Sequence, residues 1–357
     1  MLPDFVSPQA DLAPYNTLAL PARAGFLARI HSVEQLATLM RHPEFAGRPR
    51  FVLGGGSNLI LAGDFPGFVL NMRIPGKRWL GEDADCVYLA AAAGESWSDF
   101  VDWTLASGWP GLENLVGIPG TAGAAPIQNI GAYGAEISEF LHRIVALDMA
   151  RDGKTRAFTA RDCAFDYRDS IFKREGWHLS GRYVITEVVF RLPKAWRARA
   201  AYGEIGAELA RRGIQNPAPA ELAQIVTALR AQKLPDPRAL PNAGSFFQNP
   251  KVPARFAAAL QSAHPSLPCY PQPDGSVKLA AAWLIEQTGW KGRNLGAVGM
   301  HEQQALVLVN RGGASYHDVL NLSRAVREAV FARFGVSLIP EPVTLAAPSR
   351  AVVAPEK

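Results

Sequence analysis

Apolar and polar positions along the first half of the chain alternate between a helical and an extended rhythm. In SVEQLATLM, Leu36 and Met40 share a helical face, and Ser32 followed by Gln35 forms a capping box, which predicts a helix. FVLGGGSNLIL reads as strand, glycine turn, strand, and GFVLNM as a further strand. CVYLAAAAG predicts a strand, and SWSDFVDWTLASG a helix capped by Ser96 and stopped at Gly108. RIVALDMARDGKTRAF flanks Asp152-Gly153, a tight-turn dipeptide, and predicts a hairpin; YVITEVVFRL is another alternating strand. Between Gly111 and Gly134 the chain is too rich in Gly, Ala and Pro for a long element.

In the second half, PAPAELAQIVTALRAQKL carries Leu222, Ile225, Val226 and Leu229 on one helical stripe. The proline-rich approach from Asn216 to Pro219 marks the expected domain boundary. LAAAWLIEQTG predicts a helix ended by Gly289, QQALVLVN a strand, and PSLPCYPQPDGS a loop. A long amphipathic helix is bracketed by Ser315 and Gly335, with Val319, Leu322, Val326, Val330 and Phe334 facing inward. The Ala-, Pro- and Val-rich tail from Ala346 is expected to be disordered. The expected units are 1–78, 79–215, 216–335 and a final segment 336–357.

Composition narrows the class. With 357 residues, 48% apolar and 19% charged, the chain can build two or three packed units. No apolar run is long enough for a bilayer, and the N-terminus lacks the basic start and apolar core of a signal peptide, so a cytoplasmic protein is expected. Cys86, Cys163 and Cys269 are scattered, without CxxC spacing, which argues against a disulfide framework. No HExxH or ligand-spaced histidine pair appears, so no metal site is expected. The formal net charge of +5 is spread out, without an aromatic-basic stripe; it suits an anionic small molecule better than nucleic acid.

Two glycine-rich segments are the candidate chemistry. Gly54, Gly55, Gly56, Ser57 and Asn58 can bring backbone N–H groups close to an anion, though a plain hairpin turn would use the same residues. No GK[ST] follows and GxGxxG is absent, so neither a Walker loop nor a Rossmann fingerprint is present. The second segment runs through Gly117, Ile118, Pro119, Gly120, Thr121, Ala122 and Gly123 and then Gln128 to Gly134. Two such stretches suit a large cofactor with a diphosphate.

Taken in order, GGGSN, GIPGTAGAAPIQNIGAYGAE, DYRDSIFK, NAGSFFQNP and PEPV resemble the UDP-N-acetylenolpyruvoylglucosamine reductases, over roughly Asn16 to Leu345. The resemblance implies an α+β chain: an FAD-binding fold of the vanillyl-alcohol-oxidase type in two subdomains, then a C-terminal α/β substrate-binding domain. It implies FAD held by Gly54–Asn58, Ile118, Pro119, Gly120, Thr121, Gly123 and Gly131. NADPH would reduce the flavin and depart, and the enolpyruvyl ether of a UDP-sugar would enter the same pocket, in peptidoglycan precursor synthesis. A monomer without membrane or nucleic-acid partners is expected.

By the same resemblance Ser245 is the proton donor, although locally it could be a small residue packed at a strand start. Arg168 would stabilise charge pushed into the substrate carboxylate; its bland alternative is a surface pair with Asp169. Glu341 would join them only with a neutral or shared proton, its pKa raised by burial and nearby negative charge. Tyr133, Tyr202, Lys233, Asn249 and Gln304 correspond to substrate-contact positions, with Tyr202 marking the subclass that carries a tyrosine loop. Lys233 could equally compensate a helix dipole. Rival classes are a flavin oxidase on the same cofactor fold and a non-catalytic nucleotide-binding module.

Overall fold

The computed structural model describes residues 1–201 and 203–347. Tyr202, and the expected disordered tail from residue 348 onward, lie outside the described residues. Strands Val6–Asp11, Arg23–Ile30, Phe65–Met72 and Arg50–Leu53 form the first sheet in that spatial order. The last three run parallel, and parallel strands need cover on both faces. Period-two alternation supplies two apolar faces. Ala28, Ile30, Phe68, Leu70 and Met72 enter one core, while Ala24, Leu27, Phe51, Leu53 and Val69 enter another. The first sheet is thus the wall shared by two cores.

The first core continues beneath an antiparallel sheet of Lys154–Thr159, Leu141–Asp148, Tyr183–Pro193, Cys86–Ala92 and Lys77–Glu82. Its hairpin turns at Asp152 and Gly153, both at positive φ (49° and 71°), as a tight turn joining twisted strands requires. The helix Trp97–Ala106 starts on Ser96, whose side chain accepts from the Asp99 N–H. In the helix Val33–Met40 the box closes differently from expectation. Ser32 accepts from the Gln35 N–H, but Gln35 reaches back to the His31 N–H at 2.7 Å, and Leu39 rather than Met40 is buried beside Leu36.

By sequence, the helix Pro219–Lys233 falls in the C-terminal unit. Its buried Leu222, Ala223, Ile225 and Val226 instead join the first core, so the proline-rich approach precedes an element of the N-terminal half.

The second core lies under the sheet Asn242–Ser245, Val307–Asn310, Val298–Met300 and Asn294–Leu295. The helix Tyr316–Phe334 covers it with Val319, Leu322, Val326, Val330 and Phe334, all 4% exposed or less. Burying side chains of this size contributes about 1.5–3 kcal/mol each. PSLPCYPQPDGS is not a loop throughout: Cys269–Pro271 pairs with Ser276–Leu279, which also pairs with Lys251–Pro253. Short proline-containing strands at a sheet edge carry a weak sequence signal, because proline removes ladder donors.

The glycine turn after Arg50–Leu53 does not fold the chain back on itself. Leu59–Leu61 pairs in parallel with Val343–Leu345, so the end of the described chain returns to its first unit.

Candidate active site

A cavity of about 490 Å³ opens where the two cores meet, a size common for small-molecule sites. It is lined by Gly54, Gly55, Gly56, Ser57 and Asn58, and by Ile118, Pro119, Gly120, Thr121 and Gly123. Gly131, Tyr133, Arg168, Lys233, Ser245, Asn249, Gln304 and Glu341 line it too. The tertiary structure therefore brings together every nominated site residue that it describes; Tyr202 lies outside the described residues.

The glycines make room for protein as well as for a ligand. A Cβ on Gly54 would stand 2.7 Å from Thr121 Oγ1, one on Gly55 3.0 Å from Gly120 Cα, and one on Gly56 2.0 Å from the Tyr15 carbonyl oxygen. Their lack of side chains lets the two loops and the N-terminal segment close on each other. Ser57 Oγ donates to the Pro119 carbonyl at 3.0 Å, tying loop to loop. Asn58 is a staple as well. Its amide donates to Gln128 Oε1 and, at 3.4 Å, to the Glu341 carbonyl, while its own carbonyl accepts from the Val343 N–H at 3.0 Å.

Backbone pairing places Ser245 and Glu341 together. The Phe246 carbonyl accepts from the Glu341 N–H at 2.8 Å, and the Gln248 N–H donates to the Ile339 carbonyl at 2.9 Å. Ser245 ends an edge strand whose register slips between Asn242 and Ser245, with Gly244 at φ 69°. Such an irregularity re-aims the side chain that follows it.

Arg168 reaches Glu341 across 173 residues of sequence: its Nε donates to Glu341 Oε1 at 3.0 Å, and its Nη2 donates to the Gly131 carbonyl at 2.7 Å. The pair is largely enclosed, at 17% and 10% side-chain exposure. The alternative pairing with Asp169 is absent, because Asp169 is taken by Arg174. Burial pushes the Glu341 carboxyl above the usual carboxylate range, against the pull of Arg168 and Lys173.

The remaining nominees are placed in more ordinary company. Lys233 Nζ pairs with Glu204, at the C-terminal end of its helix. Asn249 Oδ1 accepts from the Ala281 N–H at 2.9 Å and so anchors the start of a helix. Gln304 Oε1 accepts weakly from the Leu306 N–H at 3.4 Å. Tyr133 sits at φ 48°, its hydroxyl pKa raised chiefly by burial.

Two lining or flanking cations went unnoticed in the sequence. Arg230 lines the cavity with its pKa lowered by burial, and Lys173 lies behind Arg168. Arg230 follows the helical stripe of Leu222 and Val226, where a cation at the next turn was the available signal. Lys173 had none beyond membership of DYRDSIFK.

Comparison with known proteins fits this architecture. An FAD binding domain family matches residues 24–158, spanning both glycine loops, and the chain is an FAD-dependent oxidoreductase. The C-terminal domain of UDP-N-acetylenolpyruvoylglucosamine reductase matches residues 236–345. A protein of that name from Dechloromonas aromatica is 56% identical over 339 residues, covering 95% of this chain and 99% of its own. Another from Azoarcus sp. is 55% identical over 345 residues, covering 96% and 98%. The crystal structure of the Thermus caldophilus enzyme of that name shares the fold, with a TM-score of 0.63 at 24% identity over 96% of this chain and 98% of that one. The chain belongs to the UDP-N-acetylenolpyruvoylglucosamine reductase family.

The loops fit the cofactor on their own terms. Thr121 Oγ1, between them, is buried without a hydrogen-bond partner among the described residues, and a ligand at this place would satisfy it. No described helix is long and apolar enough to cross a membrane.

Proposed function

We propose that this chain reduces the enolpyruvyl ether of UDP-N-acetylglucosamine to UDP-N-acetylmuramate at the expense of NADPH, with Ser245, Arg168 and Glu341 as its catalytic residues. FAD bound here would supply the two-electron, hydride-transfer chemistry between NADPH and the enol ether. Gly54–Asn58, Ile118–Thr121, Gly123 and Gly131, which line the cavity, would hold it, and the Thr121 hydroxyl, without a partner among the described residues, would be satisfied by it. The observation that carries the catalytic reading is the enclosed Arg168–Glu341 pair, hydrogen-bonded through backbone to the residue after Ser245.

Hydride addition to an α,β-unsaturated carboxylate drives charge into that carboxylate. Arg168, planar and cationic, stabilises this charge at an enclosed site where electrostatic contacts are strong. Ser245 Oγ delivers the proton to the second carbon and regains one through its surroundings. Glu341, with its proton held more tightly than an exposed carboxyl would hold it, can sit beside the substrate carboxylate without full repulsion. Tyr133, Tyr202, Lys233, Asn249 and Gln304 hold the UDP-sugar, Lys233 by exchanging Glu204 for an anionic group of the substrate. The three free cysteines suit a reducing cytoplasm.

The test is anaerobic. Enzyme reduced with NADPH is mixed with the enolpyruvyl substrate, and flavin absorbance is followed. Rapid reoxidation is expected; a flavin that stays reduced would refute the reading.

A further inference from the structure

We propose that Lys173 is a positioning residue for this reaction: it holds the backbone that aims Arg168 and supplies a second positive charge behind Glu341. The inference rests on the functional reading above. Lys173 lies in the short helical turn Ile171–Arg174, half-buried, and its Nζ donates to the Arg168 carbonyl at 2.8 Å.

Arg168 is held at φ 55°, a left-handed conformation that a residue with a side chain adopts only when its surroundings enforce it. Three restraints are visible. Asp166 and Asp169 exchange backbone hydrogen bonds across Tyr167 and Arg168, at 3.1 and 3.2 Å. Ser170, fully buried, donates through Oγ to the Ile127 carbonyl at 2.5 Å. Lys173 closes the turn from the far side. The first two fix the loop in space; among the described residues, only Lys173 donates to the carbonyl of the arginine itself. A rotated Arg168 peptide would swing the guanidinium away from Glu341, and misplacement by about 1 Å can cost a hundredfold in rate.

The electrostatic part stands on the same placement. Asp169, which faces Lys173, is paired with Arg174, and Lys173 makes no ion pair among the described residues. The charged groups facing it are Asp169, Glu341 and Arg168, with His178 on the next helical turn. Glu341 faces Arg168 and Lys173, and Tyr167 borders it. With the substrate carboxylate bound, two cations oppose two carboxyl groups, which lets both acids approach closely. Half-burying an ammonium against a single carbonyl costs free energy, and a helical turn of this length, already ended by Arg174, does not require it.

The experiment uses the full-length flavoenzyme. Lys173→Met keeps the length and removes the charge and donor; Lys173→Arg keeps both. Reoxidation of NADPH-reduced enzyme by the enolpyruvyl substrate is expected to slow about a hundredfold in Lys173→Met. Flavin content and the rate of reduction by NADPH should stay unchanged, with most of the loss restored in Lys173→Arg. The pH profile of reoxidation should move to higher pH in Lys173→Met, because Glu341 loses a cation that lowers its pKa.

Wild-type reoxidation rate and profile in Lys173→Met would overturn the inference, as would loss of flavin and thermal stability with an unchanged rate per flavin. If Lys173→Met does not fold, Lys173→Gln, which keeps a donor without the charge, takes its place: its reoxidation profile should move to higher pH, and an unmoved profile overturns the proposal. Failure of the wild-type enzyme to be reoxidised would instead refute the underlying functional reading, which keeps the two failures distinct.

Discussion

At the glycine-loop end of the cavity, the decisive residues lie in two glycine-rich segments that pack at near-contact distance and are tied by Ser57 to Pro119 and by Asn58 to Gln128. At the other end, Arg168, Ser245 and Glu341 come from three distant segments, joined by a side-chain pair and by the strand-like pairing of Phe246 and Gln248 with the Ile339–Glu341 stretch. The first end tolerates no added atoms, because its loops pack at near-contact distance. The second tolerates no loss of polar groups, because its charges are enclosed and depend on one another. Shape limits one end and charge the other, so substitutions at the two should fail in different observables.

The largest separation should come from Ser245→Ala. We expect the rate of substrate reduction to fall about 10²–10⁴-fold, the span of general acid catalysis, with flavin reduction by NADPH unaffected. Stopped-flow measurement of the two half-reactions checks this, and a near-normal substrate half-reaction would remove Ser245 from its role. Next, Arg168→Ala should cost about 10²–10³ in substrate reduction. It should also destabilise the fold by about 3 kcal/mol, because Glu341 is left enclosed without its partner. Denaturation and kinetics together would show whether both losses occur.

Gly56→Ala should leave the catalytic residues intact yet empty the enzyme of flavin. Its Cβ would lie 2.0 Å from the Tyr15 oxygen, on a residue at φ 66°. The strain of such a conformation is about 1–3 kcal/mol before the clash is counted. The flavin-to-protein ratio is the measurement, and a fully loaded variant would contradict the packing account.

A smaller effect is the pH dependence of stability contributed by Glu341. Its folded-state pKa is raised by burial, so the folded state binds the proton more tightly than the unfolded chain. This contribution is fully present below the ordinary carboxylate pKa and is lost as pH rises through the raised value. Glu341→Gln should flatten that part of the stability profile, as read from Tm against pH. Smallest of all, Ser32→Ala removes a helix cap remote from the cavity, costing about 1 kcal/mol with kcat unchanged. A change in kcat there would mean that the two ends are coupled through the first sheet.

Sequence alone specified the elements whose signals are local. The helix Tyr316–Phe334, with its cap at Ser315 and stop at Gly335, follows from an apolar stripe and two terminal residues. The hairpin at Asp152-Gly153 follows from turn chemistry, and the family follows from five ordered motifs. Tertiary structure decided matters that depend on non-local partners. The helix Pro219–Lys233 joined the first core because its apolar stripe found that partner, a choice that periodicity does not contain. The edge strand Cys269–Pro271 needed a neighbour to pair with before its prolines could be tolerated.

Only the fold could pair Arg168 with Glu341 rather than with Asp169, place Lys173 behind them, and show that the glycines make room for protein before they make room for a ligand. Helix and turn preferences act over a few residues and are written in composition. Charge pairing and loop-to-loop contact act through space, between segments whose separation in sequence carries no record of their distance.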